Sequence, residues 1–436
     1  DSTAENNTAY GFGALDAITT GDHNTAFGKG ALSGNTTGTQ NTAIGLQALT
    51  NPDTESHNTA IGSASMNSSI AGGEENTAVG STTLNSLTSG DSNVAVGHQA
   101  GKAITTGGSN VFIGNDAGLL NTSAGGVIFI GTRAGDGHDT ETENLGIGKD
   151  ALGGSIAGGE YNVAIGNTSL SQLTSGDKNT VVGFQAGKTI SSGGTNVIIG
   201  HQAMDTATTP ANGVFIGNNV GGEATTTGNQ NNIVGAESGL ALTSGTSNMV
   251  FGPFAFQANT TGSRNMVMGS DALRYPDTEN DNIAIGHIAM GGSSLAGGEF
   301  NIAIGNNSLD ALTSADNNVA VGHNAGTAIT TGGANTLMGF HAGVALTTGQ
   351  FSTFIGSLAG DGHDAESNNV GIGFAALGGA IAGGEQNVAI GNNSLDALTS
   401  GDLNTAIGYG AGGALTTGAA QILIGAEAGA SLTSAG

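Results

Sequence analysis

The chain contains no cysteine and no tryptophan, only 4 prolines, and only 8 lysines and arginines together. Without cysteine there can be no disulfide, no thiolate zinc site and no thiol nucleophile. Those few basic residues stand against 34 Asp plus Glu, leaving a formal charge of −26. Such a chain repels phosphate backbones and anionic lipid, so no nucleic-acid partner and no polybasic membrane docking are expected. No apolar run approaches the ~18 residues that span a bilayer, and no basic leader followed by an apolar segment opens the chain, so membrane insertion is not expected either. The first residue is Asp1 rather than Met, which reads as a processed chain or as a segment of a longer one. Glycine is abundant instead, at 80 of 436 residues, and 37% of residues are hydrophobic. Glycine does not recur at every third position and proline is scarce, so collagen and proline-rich linkers are excluded while enough apolar side chains remain for a core.

One phrase recurs throughout: Asn-[Thr/Val]-Ala-[Ile/Val]-Gly-x-x-Ala-[Leu/Gly], as in Asn41 to Gly45, Asn93 to Gly97, Asn162 to Gly166 and Asn404 to Gly408. Its glycine marks 25 copies from Gly11 to Gly425; of the 24 spacings, 19 are 17 residues, four are 18 and one is 19. Four of the five longer spacings contain the turn Ala-Gly-Gly-Glu (71–74, 157–160, 296–299, 382–385) and the fifth contains Gly221-Gly222-Glu223. A block of 13 coils is duplicated with a shift of 225 residues, so that 71–139 reappears at 296–364. The expectation is a single continuous repeat domain over 1–436, without linker or composition shift.

Seventeen residues are too few for a helical hairpin repeat of ~34, and the apolar positions before each marker glycine alternate with period two. The fold class expected is therefore all-β, a parallel β-solenoid of 25 coils. At ~4.8 Å per coil, 24 steps would give roughly 115 Å. The large apolar residue before the marker, including Ile44, Ile113, Ile165, Ile285 and Ile407, is expected to form the inward core ladder. Asn opens the phrase in 21 of 25 copies, the exceptions being Val127, Gly213, Ser352 and Gln421. Asn41, Asn93, Asn162, Asn301 and Asn404 are thus expected in a ladder of stacked amides that ties coil to coil. The strand-centre residue is usually Ala but is apolar and large at Phe112, Phe129, Ile198, Phe215, Leu337 and Phe354. A strand apolar on both faces has one face without a partner, so these six are the expected oligomer interface.

The phrase Asn-Thr-Ala-Ile-Gly-x-x-Ala-Leu, running from Asn7 to the end, resembles the head repeats of trimeric autotransporter adhesins and the related repeats of phage tail fibres. The resemblance implies a left-handed parallel β-roll, packed as a homotrimer, in an extracellular, cell-surface or virion-tail fibre that projects, adheres or polymerises. The familiar head coil is a few residues shorter than 17. Stalk, anchor and chaperone segments of that family do not occur within these residues, so attachment is expected to come from elsewhere. Neither end shows a polar cap: the repeat begins after Asp1 to Asn6, and Gln421 to Gly436 is an ordinary coil. Uncapped ends imply either a cut from a longer fibre or coils that stack head to tail into a filament.

No catalytic constellation stands out, and no enzyme activity is expected. A polysaccharide-cleaving fibre, with carboxylates meeting across an oligomer interface, is the one enzymatic version left open. His98, His201, His287 and His323 follow marker glycines and should face solvent. No cofactor is expected. Asp136, Asp139, Asp361 and Asp364, in two copies of Asp-Gly-His-Asp, are weak calcium candidates better read as duplicated surface loops. The partner expected is the chain itself, with a cell-surface glycan or protein receptor as a lateral alternative. Ice binding is a further alternative, since Thr8, Thr25, Thr42, Thr59 and Thr77 occupy five successive rungs; Val94, Val111, Ile128 and Leu145 then break the ladder in a way expected of a buried stripe.

Overall fold

The computed structural model describes residues 3–155, 157–222, 224–380 and 382–434. The chain divides into two compact units, Asp1–Phe215 and Ile216–Gly436. Each is a parallel β-solenoid, about 24 turns in all, and no helix occurs among the described residues.

Every coil contributes one three-residue strand immediately before its marker glycine, such as Thr42–Ile44 and Val111–Ile113. Neighbouring strands pair parallel and in register, so that Thr42, Ala43 and Ile44 lie beside Thr59, Ala60 and Ile61. The turns between strands follow the same rule. Leu32 N–H donates to Ala48 O, and Gln47 N–H donates to Lys29 O. Hydrogen bonding from coil to coil thus runs around the circumference, which satisfies a backbone that would otherwise be orphaned in so glycine-rich a chain.

The marker glycine follows from this stacking. Gly45 has φ of +139°, and a Cβ built there would lie 2.4 Å from Gly62 O in the next coil. Neither the backbone region nor the space admits an L side chain. Three residues on, the small position is fully buried, as at Ala48, Ser65, Ala100 and Ala325.

The two strand faces are the reverse of the expectation. The strand-centre residue is the inward one: Phe112, Phe129, Ile198, Phe215, Leu337 and Phe354 are all completely buried within their own coils, as are Ala43, Ala95 and Ala164. They form no free interface. Ile113 and Ile407 are 37% exposed and Ile44 is 38% exposed, and Ile165 and Ile285 are half-buried on the same outward face. The physical reason lies in the width of the coil. Its interior also receives a second large residue four positions after the marker and a third about seven positions after it, such as Leu84 and Leu87, both fully buried. Alanine at the strand centre leaves room for Leu49 or Leu84. Where the centre is Phe the compensating position is glycine: a Cβ on Gly118 would lie 2.3 Å from the Phe112 ring, and one on Gly135 2.4 Å from Phe129. Where both positions are small, as at Ala95 and Gly101, Phe112 and Leu84 of the adjacent coils close the space, so the interior stays filled while the residue supplying the volume changes, as close packing demands.

Candidate functional site

The asparagine ladder is where the repeat placed it. Asn93 is fully buried; its N–H donates to Asn76 Oδ1 at 2.9 Å, its Oδ1 accepts from Asn110 N–H at 3.1 Å, and its Nδ2 donates to Gly107 O at 3.0 Å. Asn41, Asn162, Asn301 and Asn404 likewise donate to the turn carbonyl 14 residues on, at 2.7 to 2.9 Å. Every polar atom of such a side chain is used, so the ladder fixes structure and offers nothing to a ligand. Val127 N–H donates to Asn110 Oδ1 at 3.0 Å, but its side chain has no oxygen to accept from the next rung.

A second device was not found by reading the coils one at a time. Each Ala-Gly-Gly-Glu insertion is held by a glutamate of the preceding coil. Glu141 is 4% exposed; its Oε2 accepts from the N–H groups of Asp139 and Thr140 at 3.1 and 3.2 Å, and its Oε1 from Gly158 N–H at 3.0 Å. Glu55, Glu279 and Glu366 repeat the arrangement on Gly72, Gly297 and Gly383 at 2.7 to 2.9 Å. A carboxylate accepting three backbone N–H groups is strongly anchored. The sequence signal was present: Asp-x-Glu precedes all four Ala-Gly-Gly-Glu turns by one coil, at 53–55, 139–141, 277–279 and 364–366. The fifth insertion has no such glutamate before it, and its Glu223 lies outside the described residues.

The calcium candidates do not converge. Asp139 and Asp364 accept hydrogen bonds from Thr122 and Thr347 of the preceding coil, so they fasten turns. Asp136 and Asp361 are half-buried, and burial pushes their carboxyls up from the ordinary value; Arg133 opposes this at Asp136. Among the described residues no three His, Cys, Asp or Glu side chains are grouped to hold a metal ion. The loop containing them is not wholly a surface loop. His138 and His363 are completely buried, packed against Phe129 and Phe354 with ring centroids 4.8 Å apart. Neither nitrogen of either ring makes a hydrogen bond of normal geometry. Burial lowers both to about 4, against the upward pull of Glu141 and Glu366 and of the Leu152 and Leu377 backbones. His98, His201, His287 and His323 are exposed, as their position after the marker implied.

The remaining surface with a chemical character of its own is the outward sheet face. No family model matches the chain, and no curated protein does either. Two ladders run along this face in each unit. One is the residue before the marker, continuing from Phe27 and Ile44 through Ile113 and Ile199 in the first unit, and from Phe251 and Met268 to Ile407 in the second; all of these are exposed. The other lies two residues earlier, where Thr25, Thr42, Thr59 and Thr77 give way to Val94 and Ile128. That stripe was expected to be buried beyond Thr77; Val94 and Ile128 are exposed. Thr8, Thr25, Thr42, Thr59 and Thr77 do lie in register on this face, and the companion ladder beside Thr8 and Thr25 holds the stacked rings of Tyr10 and Phe27, 4.9 Å apart. No helix of the described residues is long and apolar enough to cross a membrane.

Proposed function

We propose that the chain is a non-enzymatic structural protein, a fibre element of a cell or virion surface, which assembles with copies of itself through the outward face of its sheet. The observation that carries the reading is the pair of apolar ladders on that face. The interior is already filled by the inward side chains of the stacked coils, so the outward apolar face has no partner within those coils. A contiguous apolar surface of this kind marks an interface rather than a solvated wall. The in-register ladders also suit a self-partner, because a copy of the same chain repeats the spacing of the surface it meets. Three copies around a common axis is the arrangement implied by the resemblance to trimeric adhesin heads, and an extracellular or virion location follows from the same resemblance. The proposal assigns no reaction and no cofactor.

Replacing two outward residues, Ile113→Asp together with Ile165→Asp, tests it. Each carboxylate would lie in the proposed seam without a cation beside it. Sedimentation velocity should show the wild type as an oligomer and the double variant as a folded monomer. Unchanged sedimentation of the variant would place the interface elsewhere.

A further inference from the structure

We infer that a notch on the turn side of the second unit, between Asp316 and Phe351, binds a neutral pyranose unit of a glycan. The notch has a volume of about 300 Å³, at the small end of ligand sites, which run from ~300 to 1,000 Å³. It exists because Gly333 and Ala334 are small while the coils on either side are not. On one side stand Asp316 and Asn317; on the other stand Gln350 and Phe351.

The duplication separates what the fold needs here from what it does not. Positions 225 residues earlier carry Asp91 and Gly108, equivalent to Asp316 and Gly333, and then Gly125 and Gly126 where the second block has Gln350 and Phe351. Gly126 has φ of +69° and Phe351 has φ of +56°, a region in which glycine is the easier residue. Phe351 is 62% exposed. The neighbouring coils have the same positive φ at this position with quite different residues, Asn317 at +62°, Ala334 at +59° and Asn368 at +62°, so neither backbone nor packing asks for a phenylalanine here. What it adds is a free aromatic wall beside a small depression.

The polar groups around that wall are of the kind that read sugar hydroxyls. Asp316 Oδ1 accepts from Glu299 N–H at 2.8 Å, which fixes the carboxylate and leaves Oδ2 to accept a hydroxyl. The side-chain amides of Asn317 and Gln350 make no hydrogen bond to any described residue. A pyranose presents an apolar C–H face for the ring of Phe351 and hydroxyls for one carboxylate and two amides, the combination of an apolar body and a few placed polar contacts that defines such sites. The net charge of −26 selects against sialylated, sulfated or phosphorylated sugars. Phe300, also exposed, occupies the same rung three coils earlier, about 14 Å away at the coil spacing, so a glycan of two or three units could lie between the two rings.

This goes beyond the self-association reading and does not rest on it. The full chain would be examined by saturation-transfer NMR with the methyl glycosides of glucose, galactose, mannose and N-acetylglucosamine. At least one should receive saturation from the wild-type protein. Phe351→Gly, which installs the residue of the first block, and Ala334→Asn, which fills the notch, should each weaken binding at least tenfold with the thermal midpoint retained. Phe300→Glu, the residue found at position 75, should leave monosaccharide binding within twofold. Absence of transfer to all four glycosides overturns the proposal, and so does transfer that survives Phe351→Gly. Mass in solution is unaffected by either failure, so the two readings are separately decided.

Discussion

At the scale of the residue, the interior is kept filled by exchanging large side chains between columns and between adjacent coils. Phe112 with Gly118 occupies the space that Ala43 with Leu49 occupies elsewhere. Phe112→Ala should therefore open a cavity and cost ~3 to 5 kcal/mol, while the outward neighbour change Ile113→Ala should cost the isolated coil under ~1 kcal/mol, because little is removed from a packed interior. Adding Gly118→Leu to Phe112→Ala should recover part of the loss by rebuilding the other kind of coil. Urea midpoints of the three variants measure this. Alternation could not decide the matter in advance: period two defines two faces, both were apolar, and the larger side chain was assigned inward. Alanine proved to be the core residue because two further columns of Leu and Ile fill the coil from its turns.

Buried histidine gives the residue scale a pH dependence. His138 and His363 sit at about 4 in the fold, against ~6.5 in an unfolded chain. The unfolded state binds the extra proton, so stability is full above pH 6.5 and falls as the pH drops from 6.5 to about 4. The loss amounts to about 3 kcal/mol for each histidine. Half-buried Asp136 and Asp361, whose carboxyls are raised, act in the opposite sense. The comparison is therefore between the wild type and His138→Leu with His363→Leu, leucine being the residue that fills this column at Leu87. The variant should lose much of the slope between pH 6.5 and 4 in thermal melts; an identical pH profile would show that these rings are not buried neutral.

At the scale of the element, each coil is fastened to the next by devices whose partners lie one coil apart. The asparagine ladder was legible because one residue type recurs at one position. The glutamate clasp was not, because its two halves differ: Asp-x-Glu in one coil and Ala-Gly-Gly-Glu in the next. Read as a pair they explain how an insertion of one residue, or of two before Gly305, is tolerated. The insertion creates a free N–H at Gly72, Gly158, Gly297 or Gly383, and a buried carboxylate meets it. Glu141→Gln keeps the shape but replaces a charged acceptor of three N–H groups by a neutral one, and should cost ~1 to 3 kcal/mol. Hydrogen exchange should localise the effect: faster exchange at Gly158, Asp139 and Thr140, with Asn93 and Asn110 unchanged. Uniformly faster exchange would instead indicate that the clasp supports the solenoid as a whole.

For the molecule as a whole, the coil length, the in-register parallel strands and the insertion turns could be read from glycine spacing alone, because only glycine tolerates the carbonyl of the next coil at its α-carbon. The apolar two-faced strand was also legible, with the wrong face turned outward. Exchanging the faces leaves the consequence intact: one apolar face of each unit still lacks a partner. Self-association through that face is the central claim, and absolute mass by multi-angle light scattering, over a wide range of protein concentration, tests it most directly. The account predicts three times the 42.2 kDa of the chain. A mass of 42.2 kDa at every concentration would mean that the outward ladders stand in water, and would contradict it.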